Sequence, residues 1–172
     1  MSNVYFISDL HFNHKNILNF AGDYREGSSS EEHDHILIAK WNTLINKKDL
    51  VYVLGDIVMG KPDNLDILSE LNGRKILIRG NHDDRFSTKE YLEHFEEVYG
   101  ILKYKGYWLT HCPMHPAELR GKKNIHGHVH HNTIRDYHHE PDKRYINVCV
   151  EACNGFPVRA KDVFEGTYKQ LC

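Results

Sequence analysis

Five apolar runs in this chain end alike, each followed within a few residues by a histidine, a carboxylate or an amide. The polar groups stand in Asp9-Leu10-His11, Gly55-Asp56, Gly80-Asn81-His82-Asp83, His111 and Gly127-His128-Val129-His130. Short apolar runs bounded by turn residues read as buried strands. In a sheet of largely parallel strands the strand ends lie together, and ligand sites form there. The pattern therefore asks for a fold that gathers five strand ends around one place.

The rest of the sequence suits such a fold. Residues 3–8, 49–54 and 74–79 read as three buried strands. Between the first two, Ser28 and Ser29 stand three residues before Glu31 and Glu32, a capping-box pattern. Ile36, Ile38, Ala39, Trp41, Leu44 and Ile45 follow at helical spacing. After Pro62, Leu65, Leu68 and Leu71 repeat every three residues, and Gly73 is a natural stop. Strand, helix, strand, helix, strand is the signature of a parallel α/β core. Runs 98–104, 107–110, 125–130 and 145–150 are short and β-rich, and predict a second, more antiparallel sheet. No linker, repeat or low-complexity segment interrupts the chain, so residues 1–172 are expected to form one domain.

Composition excludes several classes. With 172 residues, 40% hydrophobic and 27% charged, the chain has the makeup of a globular protein with a real core. Its net charge of −2 gives no general electrostatic case for nucleic acid or anionic membrane. No stretch approaches the roughly 18 apolar residues of a membrane span. Met1-Ser2-Asn3-Val4 lacks a signal-peptide pattern, so a cytoplasmic protein is expected. Cys112, Cys149, Cys153 and Cys172 match no zinc ribbon or redox pair, and are expected to be thiols.

Taken singly, most of the motifs have an ordinary reading. Asp9 and His11, two apart, share a face on extended backbone. They read equally well as a metal-binding pair or as a capping Asp beside a loop His. Gly55-Asp56 alone is a turn dipeptide. Gly80-Asn81-His82-Asp83 is more specific, because an Asn carbonyl is a neutral oxygen ligand and an Asp can fix a neighbouring imidazole. His128 and His130 fall on one side of an extended segment, with His126 on the same alternation. His111 at a strand end is more often structural. Mixed carboxylate and imidazole ligands suit Mn, Fe, Ni or Zn better than Mg or Ca.

As an ordered set the motifs resemble the calcineurin-like metallophosphoesterase superfamily, from Asp9 to His130. Ser8-Asp9-Leu10-His11-Phe12-Asn13-His14, Trp41-Asn42, Leu71-Asn72-Gly73-Arg74-Lys75 and His111-Cys112-Pro113-Met114 are similar to a small single-domain branch found in bacteria and phages, as is the tail Asn147-Val148…Pro157-Val158. The resemblance implies an α/β fold in four-layer form, a two-sheet β-sandwich flanked by helices. It implies two divalent transition-metal ions. Asp9, His11, Asp56 and His130 would hold one, and Asp56, Asn81, His111 and His128 the other, with Asp56 shared. His82 would be the general acid, steered by Asp83, and a hydroxide activated between the metals the nucleophile. Gly55-Asp56 is followed by Ile57-Val58-Met59-Gly60, not the Asp-Arg-Gly of the Ser/Thr protein phosphatases, and Asp83 stands where those enzymes have Glu. Both departures argue against a protein phosphatase.

The expected substrate is a small phosphoester, a phosphodiester in preference to a monoester, including a nucleotide or a nucleic-acid end. The alternatives are a phosphomonoesterase for nucleotides or metabolites, and a binding module without turnover. A nuclease for structured nucleic acid would need a basic track, and Lys122-Lys123 and Lys143-Arg144 read as ordinary surface charge. His14 and Asn16 follow the first motif closely enough to face the phosphate, and Arg25 to reach it from the next loop, but each reads at least as well as a solvated loop residue. His115 reads as a loop residue, and His33, His35 and His94 as exposed residues of helices. Exposed sheet edges leave a homodimer open.

Overall fold

A computed structural model describes residues 2–171. In chain order the elements are β1 (Val4–Ile7), α1 (Ile17–Ala21), α2 (Ser30–Leu44), β2 (Leu50–Val53), β3 (Arg74–Ile78), α3 (Thr88–Tyr91), β4 (Glu97–Tyr99), β5 (Ile101–Tyr104), β6 (Tyr107–Thr110), β7 (Lys123–His126), β8 (Tyr145–Asn147), β9 (Val158–Arg159) and α4 (Ala160–Phe164). Two sheets form, ordered β4-β3-β2-β1-β9 and β5-β6-β7-β8, with helices flanking them. No helix among the described residues is long and apolar enough to cross a membrane.

The central strands β1, β2 and β3 of the first sheet are largely apolar on both faces, as strands covered on both sides must be. Tyr5, Ile7, Val51, Val53 and Leu77 point to a core they share with Leu37, Ile38 and Trp41 of α2. Phe6, Tyr52, Leu54, Ile76 and Ile78 point the other way and meet Leu109 and Ile125 of the second sheet. Helix α2 begins at Ser29, whose side chain accepts the Glu32 N–H. Glu32 reaches back to the Ser28 N–H at 2.8 Å, so the capping exchange is spread over both serines. Trp41 is fully buried and donates from Nε1 to Asn72 O at 2.8 Å, tying α2 to the turn before β3.

Three local expectations need correcting. The leucine repeat after Pro62 is a 3-10 helix, Pro62–Glu70, whose period of three matches the spacing of Leu65 and Leu68. The run 98–104 divides at Gly100: β4 pairs parallel with β3, whereas β5 pairs with β6 in the other sheet. The second sheet is mixed, not mainly antiparallel. Only β5–β6 is antiparallel, joined through Lys105 and Gly106, both at positive φ, as a tight hairpin requires. The β6–β7 and β7–β8 pairs are parallel, because the segments 111–122 and 127–144 are long enough to carry the chain back.

The sheets meet where the site forms. Ser8, just past β1, bridges Cys149, just past β8, with Ser8 N donating to Val148 O at 2.9 Å. The loop after β1 then runs along the loop after β2: Asp9 N bonds Gly55 O, His11 N bonds Asp56 O and Phe12 N bonds Ile57 O, at 3.0, 3.0 and 2.8 Å. Strand-like hydrogen bonding thus continues past the strands without extended backbone. Asp9, His11, Asp56, His128 and His130 all have positive φ, between 51° and 71°. The expectation that Asp9–His11 and Gly127–His130 are extended is overturned. Their side chains converge because each backbone turns at the residue that carries the ligand.

Candidate metal centre

The ligand atoms of Asp9, His11 and His130 lie within 4.8 Å of one another, as do those of Asp9, Asp56 and His111. Asp9 Oδ2 is fully engaged, taking the Ser8 hydroxyl at 2.6 Å, the His128 N–H at 2.9 Å and the Cys149 thiol at 3.1 Å. Its other oxygen, Oδ1, is buried with no hydrogen-bond partner and lies 3.7 Å from His11 Nε2 and 3.8 Å from His130 Nε2. Both ring nitrogens of His11 are buried without a partner. Buried polar atoms are normally paired. Asp9 Oδ1 and His11 Nε2, which face each other at 3.7 Å, fit a cation placed between them when the proton of the neutral ring is on Nδ1.

The second group stands on the far side of Asp56. Asp56 Oδ1 accepts the His82 N–H at 2.9 Å, and Oδ2 lies 3.8 Å from His11 Nε2 and 3.4 Å from His111 Nε2. His111 Nδ1 donates to Leu54 O at 2.7 Å, which leaves Nε2 to carry the lone pair in the neutral ring. Asn81 Oδ1 and His128 Nδ1 approach that nitrogen at 2.9 and 3.2 Å. Cys112, exposed and read only as an ordinary thiol from the sequence, has its sulfur within the same cluster as His111 and His128. Cys149 and Cys153 are also free, and Cys172 lies outside the described residues.

The carboxylates and imidazoles of the site shift one another, and not all the imidazoles move the same way: burial and the charge of His111 lower the pKa of His128. Burial alone would raise the Asp9 pKa, but the imidazoles of His11, His111 and His130 outweigh it and hold the group well below the carboxylate range. Asp56 behaves alike, burial being overcome chiefly by His111. Burial opposes charge on His111, yet the Asp56 bond and the Asp9 and Asp56 charges push it up to about 9. Two carboxylates are thus kept ionised at the centre of the cluster, where they attract positive charge.

Asp83 does not act as expected. It is fully buried and accepts Asp56 N at 2.9 Å, Ile57 N at 3.1 Å, Gly80 N at 2.7 Å and the Tyr91 hydroxyl at 3.2 Å. Its carboxylate ties the loop after β2 to the loop after β3, and these bonds run to backbone and Tyr91 and not to the His82 ring. His82 itself is half exposed, with Nε2 4.0 Å from Asp56 Oδ2. His14 stands edge-on to His11 at 5.7 Å between ring centroids, and Asn16 is exposed at the start of α1.

Arg25 is another correction. It is 8% exposed, and its guanidinium bonds Glu151, Asp9 O, Leu10 O and His33, which leaves it beneath the first loop instead of facing a phosphate. His33, expected on an exposed helix face, is 1% exposed because it completes that network. Glu151 was not singled out by any motif. It follows an apolar run like the other site residues, but its partners Arg25 and His130 are remote in sequence.

A fold that brings Asp-x-His, Gly-Asp, Asn-His-Asp and Gly-His-x-His loops around one buried carboxylate defines a class of phosphoester hydrolases that usually bind divalent metals. The sequence profile described as calcineurin-like phosphoesterase matches residues 2–150, and the chain belongs to that family. It is 38% identical over 165 residues to the uncharacterized protein MJ1445 of Methanocaldococcus jannaschii, covering 92% of this chain and 87% of that one. The crystal structure of AQ665, a protein of unknown function from Aquifex aeolicus, superimposes with a TM-score of 0.72 at 30% identity, over 96% of this chain and 99% of that chain. A nuclease of Pseudomonas putida named MPE shares the fold at 20% identity and a TM-score of 0.53, over 74% of this chain and 61% of that chain.

Proposed function

We propose that this chain hydrolyses phosphodiesters with two divalent cations. Asp9, His11, Asp56 and His130 hold one, Asp56, Asn81, His111 and His128 the other, and His82 is the proton donor. The observation that carries the reading is the place of Asp56 Oδ2, between His11 Nε2 at 3.8 Å and His111 Nε2 at 3.4 Å, where one oxygen serves both groups. Divalent cations bound there supply charge for the phosphoryl oxygens and acidify a water.

The chain's own groups do the rest. Asp56 is fixed through Oδ1 by the His82 N–H, so its other oxygen stays aimed at both ligand groups. His82 is held by its backbone at the edge of the cluster with its ring half exposed, which suits a group that gives a proton to a departing alkoxide and regains it from solvent. His14, beside His11, is assigned to a phosphoryl oxygen. The imidazole and carboxylate donors favour Mn, Fe, Ni or Zn over Mg. That a nuclease is built on the same fold supports the choice of diesters.

Elemental analysis, with turnover of a chromogenic bis-ester and a mono-ester across added Mn, Ni, Zn and Mg, tests the reading. Two bound ions and preference for the bis-ester are expected. Preference for the mono-ester overturns the diester assignment. Bound metal with turnover of neither makes the chain a binding module.

A further inference from the structure

We infer that Glu151 is a positioning residue for one of the two cation sites: its carboxylate fixes the His130 ring so that Nε2 faces the ion, and through Arg25 it holds the Asp9–His11 loop. This rests on the metal sites proposed above.

The geometry begins at one oxygen. Glu151 is 3% exposed, and its Oε1 lies 2.8 Å from His130 Nδ1, 2.8 Å from Arg25 Nε and 2.7 Å from Arg25 Nη2. An ionised carboxylate only accepts, so Nδ1 must carry the ring proton. The lone pair then belongs to Nε2, the nitrogen 3.8 Å from Asp9 Oδ1. A histidine ligand whose other nitrogen donates to a carboxylate has its tautomer and its rotation set together.

Arg25 extends the hold. Its Nη2 donates to Asp9 O at 2.7 Å and its Nη1 to Leu10 O at 3.2 Å. Nη1 also lies 3.1 Å from His33 Nε2, and His33 Nδ1 lies 2.9 Å from Asp34 Oδ1. Asp34 Oδ2 accepts the Asn13 N–H at 2.7 Å, at the far end of the same loop. One buried chain, Glu151–Arg25–His33–Asp34, thus grips the loop that carries Asp9 and His11 and the ring of His130. The side chains of Asn81 and His111 and the main chain of Asp56 are held mainly by other groups, Asp83, Leu54 O and one another, although His128 N–H also reaches Asp9 Oδ2 and Asp56 O accepts the His11 N–H. His130 is the one ligand whose ring Glu151 touches, so the effect of Glu151 should fall mainly on the ion that His130 holds.

Manganese titration of the full chain and its E151A and E151Q variants reads the affinities of both ions. For E151A, affinity for one ion falls by about 10–100-fold, the range for removing such a partner, while the other falls by much less. E151Q keeps an acceptor for Nδ1–H and recovers affinity to within about tenfold of the parent. Equal weakening of both ions, or of neither, overturns the inference. Long-range 1H–15N spectra of the zinc-loaded parent give a second reading that needs no variant to fold. The proton is expected on His130 Nδ1, and a proton on Nε2 overturns the proposal. A parent that binds no manganese overturns the two-cation function instead, while the spectrum still decides the His130 tautomer.

Discussion

The buried carboxylate of Asp83 accepts the backbone N–H of Asp56 across 27 residues, at 2.9 Å. The bond fixes the residue that stands between the two ligand groups by its main chain. Asp83→Asn places an amide against these N–H donors. Each buried donor left unsatisfied costs about 1–3 kcal/mol, and a chain of this size loses about 2–4 °C of Tm per kcal/mol. Calorimetric melting should show a Tm lower by about 4 °C or more, with weaker binding of both cations. An unchanged Tm with lost turnover alone would return Asp83 to the role of steering His82.

His82→Ala removes a half-exposed ring whose backbone N–H, not its side chain, supports Asp56. Two ions should remain by elemental analysis. kcat on a diester with a poor leaving group should fall about 10²–10⁴-fold, and less where the leaving group needs no proton. Loss of metal along with activity would make His82 structural.

Gly127 lies against the site so closely that a Cβ would collide with Ser8 Oγ and Asp9 Oδ2. Gly127→Ala must displace the Asp9 carboxylate from the donors that orient it. Metal titration should show weakened binding while the far-UV spectrum is unchanged. Parental affinity would mean that Ser8 and Asp9 shift without cost.

Asp49 gives a pH dependence away from the cations. It is buried, which by itself raises its pKa, but the Asn3 and Asn46 backbone N–H groups, at 2.6 and 2.9 Å, more than reverse this and lower it below the ordinary 3.8. The stabilisation is therefore complete above that ordinary value and drains away as pH falls through the lower folded value. Asp49→Asn should lose about 1 kcal/mol at pH 7 by denaturant unfolding, with a gap that narrows in acid below about pH 4. A constant gap down to pH 2 would sink this account.

The motifs were legible because each is local: an apolar strand and the polar residues that leave its end. Asp9, His11, Asp56, Asn81, His111, His128 and His130 could be marked in this way, and the structure brings them together. What their backbones do there was not legible, since nothing in Asp-Leu-His announces two left-handed residues. The tertiary hydrogen bonds to neighbouring loops impose them. The partners of Asp83 are hidden for the same reason. Its sequence neighbour is the His82 ring, but its bonds run to Asp56, Ile57 and Tyr91. Arg25 and Glu151 are separated by 126 positions, and neither stands in a motif, so their pairing is a product of the fold alone. The change of sheet at Gly100 escaped notice because residues on both sides of it favour strands.

Left-handed backbone at Asp9, His11, Asp56, His128 and His130 runs against the intrinsic preference of L-residues, by roughly 1–2 kcal/mol each. None of these turns would persist in an isolated loop. They exist only once the two sheets have docked and the loops brace one another. The assembled site therefore belongs to the folded state, and a cation that needs all its ligands together favours that state over the unfolded chain. An ion at a hundred times its Kd would add about 2.7 kcal/mol to stability. In a cell, metal supply would then bear on the lifetime of this protein as well as on its turnover.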